Sequence, residues 1–351
     1  MGSRPSEKQL VAEVPAVLAS LLDVPERDIK VEAGRGPNAD LLVRAAGHSF
    51  VVGVLGAVSP GPIVAQAERL ASVVRQLRRK ATPLLAVPFM TEAGRRASEG
   101  VRIPWLDFSG NAHIVTPGLR VIVDGRPNLF RGPGRPASIF APKSARVVRW
   151  LLMNPQSALT QREIARATDM TEGFVSRIAS RLEQDGYVLR DQGGALRMKD
   201  PQLLLDAWRD EYRFDKHHTI QGHVTARSGD ALARFVSDTL STTSMDHAAT
   251  GLAAAWQLTH FAMFRIATFF VAEPPSKALR EELGFREEPR GANLWLVVPN
   301  DVGVFQGAEP REGMRCVHPV QAYVDLKGHP ERAAEAAEHL RSELLTRRRD
   351  G

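Results

Sequence analysis

Cysteine is almost missing from this chain. One residue in 351, Cys316, cannot form an intrachain disulfide and supplies no thiolate set for a zinc ion. Long apolar runs are missing as well. The most apolar stretch, Phe261 to Ala272, is broken by Arg265 and falls short of the roughly 20 apolar residues of a membrane span. The first segment carries Glu7, Lys8 and Glu13 where a secretory signal would have a basic start and an apolar core. The chain has no Gly-x-x-x-x-Gly-Lys-Ser/Thr phosphate loop, no repeat of fixed period and no coiled-coil heptads. The expectation is a cytoplasmic protein with no membrane partner, no cofactor and no metal.

The composition that remains is that of a globular protein, 43% hydrophobic and 25% charged. At this length two or three domains are expected. The net charge is +6, which suits a polyanionic partner. Positive charge concentrates at Arg75–Lys80, at Arg131 and Arg135, between Lys143 and Arg197, and at Arg347–Arg349. The last of these reads as a solvated tail.

Apolar spacing predicts a helix over residues 9–22, then strands at Leu41–Arg44 and Ser49–Leu55. A helix from Ile63 to Arg79, a strand from Pro83 to Pro88, a helix from Thr91 to Glu99 and a strand at Ile103–Phe108 follow. A turn at 107–111 then leads into a β-ribbon, His113–Val115 and Arg120–Val123. Alternating strands and helices argue for an α/β domain over residues 1–130. Proline and glycine crowd residues 131–142, which therefore read as an extended linker. From about residue 213 the pattern predicts helices at Gly229–Leu240 and His247–Phe261, strands at Ile266–Ala272 and Leu294–Val298, and a last helix from Pro330 to Leu345.

The most specific pattern lies at 143–198. Lys143 to Met153 gives one amphipathic helix. Thr160 and Glu163 form a capping box for a second, and Asp169–Met170 makes a turn. Thr171 caps a third helix, over 171–186, with Phe174, Val175, Ile178 and Leu182 at helical spacing. Two short strands around Gln192–Gly193–Gly194 complete a wing at 187–198. In such a module the third helix enters the major groove. Thr171, Ser176, Arg177, Ser180 and Arg181 are its candidate base-reading residues, with Arg177 offering a fork to guanine O6 and N7. Lys143, Arg146, Arg162, Arg166, Arg190 and Arg197 are candidates for the phosphate backbone, which sets register without reading sequence. Glu172 would repel phosphate and favours a winged helix used for protein contacts. The run Val175–Ser176–Arg177, Leu182–Glu183, Gly186 resembles the third helix of MarR-type regulators. Gly134–Arg135–Pro136 in the linker is similar to the core of an AT-hook, so Arg131 and Arg135 are candidates for a minor-groove arm; a plain linker is the alternative.

The order of elements in 1–130 resembles the PD-(D/E)XK nuclease fold. Asp40 falls where that family has its first carboxylate, but the Glu-x-Lys position reads Gly53–Val54–Leu55. The resemblance therefore implies a fold without metal binding or water activation, kept as a platform. Asp107, Asn111 and His113 read as turn chemistry, His217 and His218 as a solvated pair, and Cys316 beside His318 as a buried thiol. No enzyme is expected.

Three further runs resemble antitoxins of the AbiEi type from type IV toxin–antitoxin systems. They are Ile103–Pro104–Trp105–Leu106–Asp107–Phe108–Ser109–Gly110–Asn111–Ala112 with Pro117–Gly118–Leu119, Ala249–Thr250–Gly251–Leu252–Ala253–Ala254–Ala255–Trp256, and Val317 through Lys327 continued by Pro330–Glu331–Arg332. The resemblance covers about 83–345. It implies a winged-helix transcriptional regulator, often encoded beside a nucleotidyltransferase-like toxin, that represses its own promoter. It also implies a C-terminal domain similar to a nucleotidyltransferase fold, although no Gly-Ser followed by paired Asp is present. In that family the winged helix commonly comes first, whereas here it follows an α/β domain.

The combined expectation is an α+β multidomain chain. It comprises a restriction-endonuclease-like α/β domain (1–130), a linker (131–142), a winged helix-turn-helix (143–212) and a C-terminal α/β domain (213–351). Its expected function is sequence-specific binding of double-stranded DNA as a nucleoid-associated regulator, with a homodimer as the oligomeric expectation. The alternatives are a protein-interaction module or antitoxin that binds a toxin, and a nuclease with an unorthodox site.

Overall fold

The computed structural model describes residues 7–34, 38–56, 58–77, 80–130 and 138–346. Arg131 and Arg135, with most of the expected linker, lie outside the described residues, as do Arg78, Arg79 and Arg347–Arg349. The chain forms two compact units, Met1–Pro136 with Ser180–Leu189, and Ala137–Ala179 with Arg190–Gly351.

The first unit is built on one seven-stranded sheet whose strands follow chain order. The strands are β1 (Lys30–Ala33), β2 (Leu41–Ala45), β3 (His48–Val54), β4 (Thr82–Val87), β5 (Trp105–Asp107), β6 (Ala112–Thr116) and β7 (Leu119–Val123). Pairing is antiparallel from β1 to β3, parallel from β3 to β5, and antiparallel again to β7. Side chains of a strand alternate between faces, and β3 uses both. Phe50 and Val52 join Leu10, Val14 and Leu18 of α1 (Glu7–Leu22) on one side. Val51 joins Ile63 and Leu70 of α2 (Pro60–Gln76) on the other, where Ala97 of α3 (Glu92–Gly100) also packs. Each face thus buries an amphipathic helix, the arrangement that shields a parallel strand core from water. Strand β1 escapes the sequence reading because all four of its residues are exposed. Segment 180–189 joins this unit through Asp185, whose carbonyl accepts the Gly61 N–H at 3.0 Å and whose carboxylate accepts the Ser59 hydroxyl at 3.3 Å. Gly186 is needed there twice over. Its φ is +80°, and a Cβ would lie 2.5 Å from the Gly61 nitrogen.

The second unit holds a mixed sheet in the order β13-β10-β14-β12-β11-β16-β15. Its strands are β10 (His218–His223), β11 (His247–Thr250), β12 (Ala267–Val271), β13 (Arg286–Glu287), β14 (Leu294–Val298), β15 (Glu309–Arg311) and β16 (Met314–Cys316). Pairing is parallel between β12 and β14 and between β11 and β16, and antiparallel elsewhere. Helices α7 (Pro201–Glu211), α8 (Gly229–Ser241), α9 (Gly251–Thr259), α10 (Lys277–Glu282), α11 (Pro319–Asp325) and α12 (Ala333–Leu340) complete this part of the unit. The expected helix over 247–261 is corrected. Residues 247–250 form β11, and Gly251 at φ +58° turns the chain into α9. Alanines buried on every side give this segment no periodicity to read. The last helix also starts later than expected, at Ala333, because Glu331 takes a left-handed conformation, φ +64°.

Candidate nucleic-acid interface

The chain from Pro142 to Met198 runs helix, helix, turn, helix, hairpin. Helix α4 (Pro142–Met153) buries Val147, Val148, Leu151 and Leu152. Helix α5 (Gln161–Thr168) starts at a full capping box. The Thr160 hydroxyl accepts the Glu163 N–H at 3.2 Å, and the Glu163 carboxylate accepts the Thr160 N–H at 2.7 Å. Reciprocal bonds of this kind satisfy two otherwise free donors and fix where the helix begins. Asp169 stops α5 in a left-handed conformation, φ 53°. Thr171 then caps α6 (Glu172–Gln184) by accepting the Phe174 N–H at 3.3 Å.

The wing is β8 (Val188–Arg190) and β9 (Leu196–Met198). Asp191 shapes its turn, accepting the N–H groups of Gly193 and Ala195 at 3.0 Å each. An isolated antiparallel bridge from Leu159, not foreseen from the sequence, extends the hairpin. Leu159 exchanges backbone bonds of 3.0 and 2.8 Å with Leu196.

Helical geometry sorts the candidates on α6. At 100° per residue, Gly173, Arg177, Ser180 and Gln184 share one face, with Ser176 and Arg181 on its flanks. Arg177 and Ser180 are exposed and Ser176 is half-buried, while Val175, Ile178, Ala179 and Leu182 are buried. The Arg177 guanidinium lies 5.7 Å from the Phe174 ring centre, a cation–π arrangement that preorganises its stem. Arg181 is in the last turn, with Nε 2.8 Å from Asp185 Oδ2.

The backbone candidates divide similarly. Lys143 and Arg166 are exposed. Arg162 lies 3.2 Å from Glu172, so the acid that would repel phosphate is already countered. Arg197 is 3.6 Å from Asp191, and the Arg190 guanidinium faces the Gln161 amide. Surface pairs of this sort are worth little and exchange readily for another anion. Arg146 is different, and its expected role as a phosphate contact is corrected. Its Nε and Nη2 meet both oxygens of Asp301 at 2.7 and 2.9 Å, with only 13% and 8% of the two side chains exposed. A buried two-pronged pair fixes α4 to the C-terminal part of its unit and leaves no fork for DNA.

Beside that pair lies a buried polar network that the sequence reading missed. Arg149, 3% exposed, donates to Gln321 Oε1 from Nε and Nη2 at 2.9 and 2.7 Å. Gln321 Nε2 passes the link to Asp325 Oδ1 at 2.7 Å. Asp325 also accepts the hydroxyls of Thr250 and Tyr212. Tyr212 Oη lies 2.9 Å from His217 Nε2, and His217 Nδ1 accepts the Asn300 N–H at 3.1 Å. This pattern assigns the His217 proton to Nε2. Burial pushes the Asp325 carboxyl up to about 7 and the Arg149 guanidinium down to about 10. Burial also pushes the His217 imidazole down to about 4, so the expected solvated histidine pair is corrected for His217; only His218 is exposed. The one available signal was Gln321 and Asp325 at i, i+4 on one helix.

The remaining expectations concern chemistry elsewhere. Asp107 is fully buried and accepts from Met90 N, Ser109 N, Asn111 N and Asn111 Nδ2 at 2.9–3.0 Å, the turn role expected of it. Cys316 is a buried thiol, with burial raising it to about 12. His318 is held down to about 4 by burial and caps α11 by accepting the Val320 N–H. Among the described residues no group of three or more His, Cys, Asp or Glu is placed to hold a metal ion, and no helix is long and apolar enough to cross a membrane.

Two family models match the chain. Residues 141–197 match the MarR family, and residues 197–346 match the family described as "Transcriptional regulator, AbiEi antitoxin, Type IV TA system". The two meet at the end of the wing. Together they support the role of a DNA-binding regulator of the antitoxin type. No curated protein and no solved structure matches the chain.

Proposed function

We propose that this chain, whose residues 141–346 are those of MarR-type and AbiEi-type regulators, binds double-stranded DNA sequence-specifically and represses transcription. The observation that carries the reading is the free face of α6, where Arg177 and Ser180 stand exposed just after a Thr171-capped start. Such a helix enters the major groove N-terminus first. Arg177 reads guanine, Thr171, Ser176 and Ser180 bond bases or adjacent phosphates, and Arg181 follows once released from Asp185. Lys143, Arg162, Arg166, Arg190 and Arg197 neutralise the backbone on either side. The domain reading is 1–130, 131–142, 143–212 and 213–351.

The N-terminal domain is, in this reading, a nuclease-like fold without its chemistry. Asp40 commits Oδ2 to the Val54 N–H at 2.7 Å. At Gly53 a Cβ would lie 2.1 Å from Gln66 Nε2, so a carboxylate enters there only if Gln66 moves. The C-terminal domain is nucleotidyltransferase-like and likewise non-catalytic, and it is the part that engages a toxin. The protein acts as a homodimer in the nucleoid.

Selection of bound duplexes from a random pool, followed by titration of the winner against scrambled DNA, tests the reading. A recovered motif preferred by about 10³-fold or more is expected of a specific binder. Uniform, salt-steep binding would reduce the protein to a non-specific scaffold. No binding, with a copurifying partner, would leave an interaction module.

A further inference from the structure

The sheet of the first unit ends in two unlike edges, β1 and β7. An edge strand offers its free N–H and C=O groups to any other chain, and proteins blunt such edges with charge, proline or brevity. Strand β1 is blunted. Its exposed residues include Lys30 and Glu32, and Glu32 pairs with Arg44 at 2.7 Å. Strand β7, Leu-Arg-Val-Ile-Val, has Arg120 as its one charge and no proline. It comes before the residues that match either family.

The hairpin fixes which backbone groups of β7 are free. Thr116 and Leu119 pair across the two-residue turn Pro117–Gly118, so Leu119, Val121 and Val123 bond to β6. The N–H and C=O groups of Arg120 and Ile122 therefore point away from the sheet. Side chains divide between the faces in the same alternation. Leu119 and Val121 pack, half-buried, against the core beneath α1. On the opposite face Ile122 is 43% exposed and lies across from the exposed His113, while Val115, 44% exposed, lies across from Arg120. Arg120 is exposed and, among the described residues, forms no ion pair. Just past the strand Asp124 is exposed too, with one carboxylate oxygen 2.8 Å from Arg95. Arg120, Ile122 and Asp124 thus make a row with a positive end, an apolar centre and a negative end. Such a row is complementary to its own copy run in the opposite direction.

We propose that β7 pairs antiparallel with β7 of a second copy about a two-fold axis at Ile122, which rests on the homodimer reading above and gives it a surface. Arg120 then faces Asp124 of the second copy at both ends, Ile122 faces its own counterpart, and Val121 faces Val123. The contact is isologous, so it closes at two copies. Sedimentation velocity of the full chain over a concentration series tests it. A dimer with Kd of about 1 μM or tighter is expected. Ile122→Lys should give monomer. Arg120→Asp and Asp124→Arg should each weaken the dimer about tenfold, because like charges then face each other twice. Mixed in equal amounts, those two variants should pair with wild-type affinity, since each meets the opposite charge on the other. An unchanged far-ultraviolet spectrum checks that every variant folds, and the mixing result decides the matter should Ile122→Lys fail that check. A dimer indifferent to all three substitutions overturns the surface and leaves the homodimer reading to another face. A mixture no tighter than its components overturns the register. A wild-type chain that stays monomeric throughout overturns the surface and the homodimer together.

Discussion

Arg146 and Asp301 form a two-pronged ion pair across 155 positions of sequence, almost out of reach of water. The arginine belongs to the first helix of the winged helix, and the aspartate caps a short turn, Val302–Phe305, by accepting the Gly303 N–H at 2.8 Å. The DNA-reading module is therefore held at its base by electrostatics as well as by packing.

Removing one partner of such a pair leaves a poorly hydrated charge. Asp301→Ala and Arg146→Ala should each lower unfolding free energy in urea by about 3 kcal/mol. The double variant should cost less than the sum, since neither charge is then stranded. In DNA titrations Arg146→Ala should keep the wild-type salt slope. A slope reduced by about 1 would return Arg146 to the phosphate contacts.

The exposed arginines should separate by role. Arg177→Ala should cost about 1–3 kcal/mol on the selected duplex and much less on scrambled DNA. Arg166→Ala should weaken both duplexes alike and reduce the log–log salt slope by about 1. Equal losses on both duplexes for Arg177→Ala would remove α6 from the reading role.

Gln321 joins Arg149 to Asp325, two buried groups that do not touch each other. Gln321→Leu should destabilise by about 3 kcal/mol, because Arg149 then has no acceptor for Nε, Nη1 or Nη2. Adding Arg149→Met should recover most of that loss, since a hydrophobic replacement of a buried polar pair is often neutral. Urea unfolding of both variants checks the sign. A double variant as unstable as the single would mean that the cost lies in packing around α11.

Local chemistry was the legible part of the sequence. Thr160, Glu163 and Thr171 announce their helix starts, and the apolar run with Val51 and Val52 announces the strand expected at 49–55. What sequence spacing could not convey lies between distant residues. Arg149 and Gln321 are 172 positions apart, so nothing near Arg149 distinguishes a buried donor from a phosphate contact, and Arg146 was misread for the same reason. His217 stands beside His218 in a polar stretch, yet Tyr212 and Asn300 enclose it. Strand β1 was hidden because a fully exposed edge strand carries no apolar period.

The same buried groups set how stability depends on pH. His217 and His318 are held near 4 in the fold, against about 6.5 in an unfolded chain. The unfolded chain thus takes those protons first, and stability present above about pH 6.5 is lost as pH falls toward 4. Asp325 acts in the opposite sense. Burial holds it near 7 against about 3.9 unfolded, so the fold keeps a proton that the unfolded chain releases, and raising pH from 4 to 7 weakens the fold. These three groups leave a net rise of one proton's worth, about 1.4 kcal/mol per pH unit, between 4 and 6.5. Asp325→Asn removes the opposing group and should steepen the rise by about 1.4 kcal/mol per unit. Contributions from surface carboxylates are common to both proteins and cancel in the comparison. Urea midpoints at pH 4.5, 5.5 and 6.5 measure it, and parallel wild-type and Asp325→Asn curves would show that Asp325 is ionised throughout this range, paired to Arg149 through Gln321.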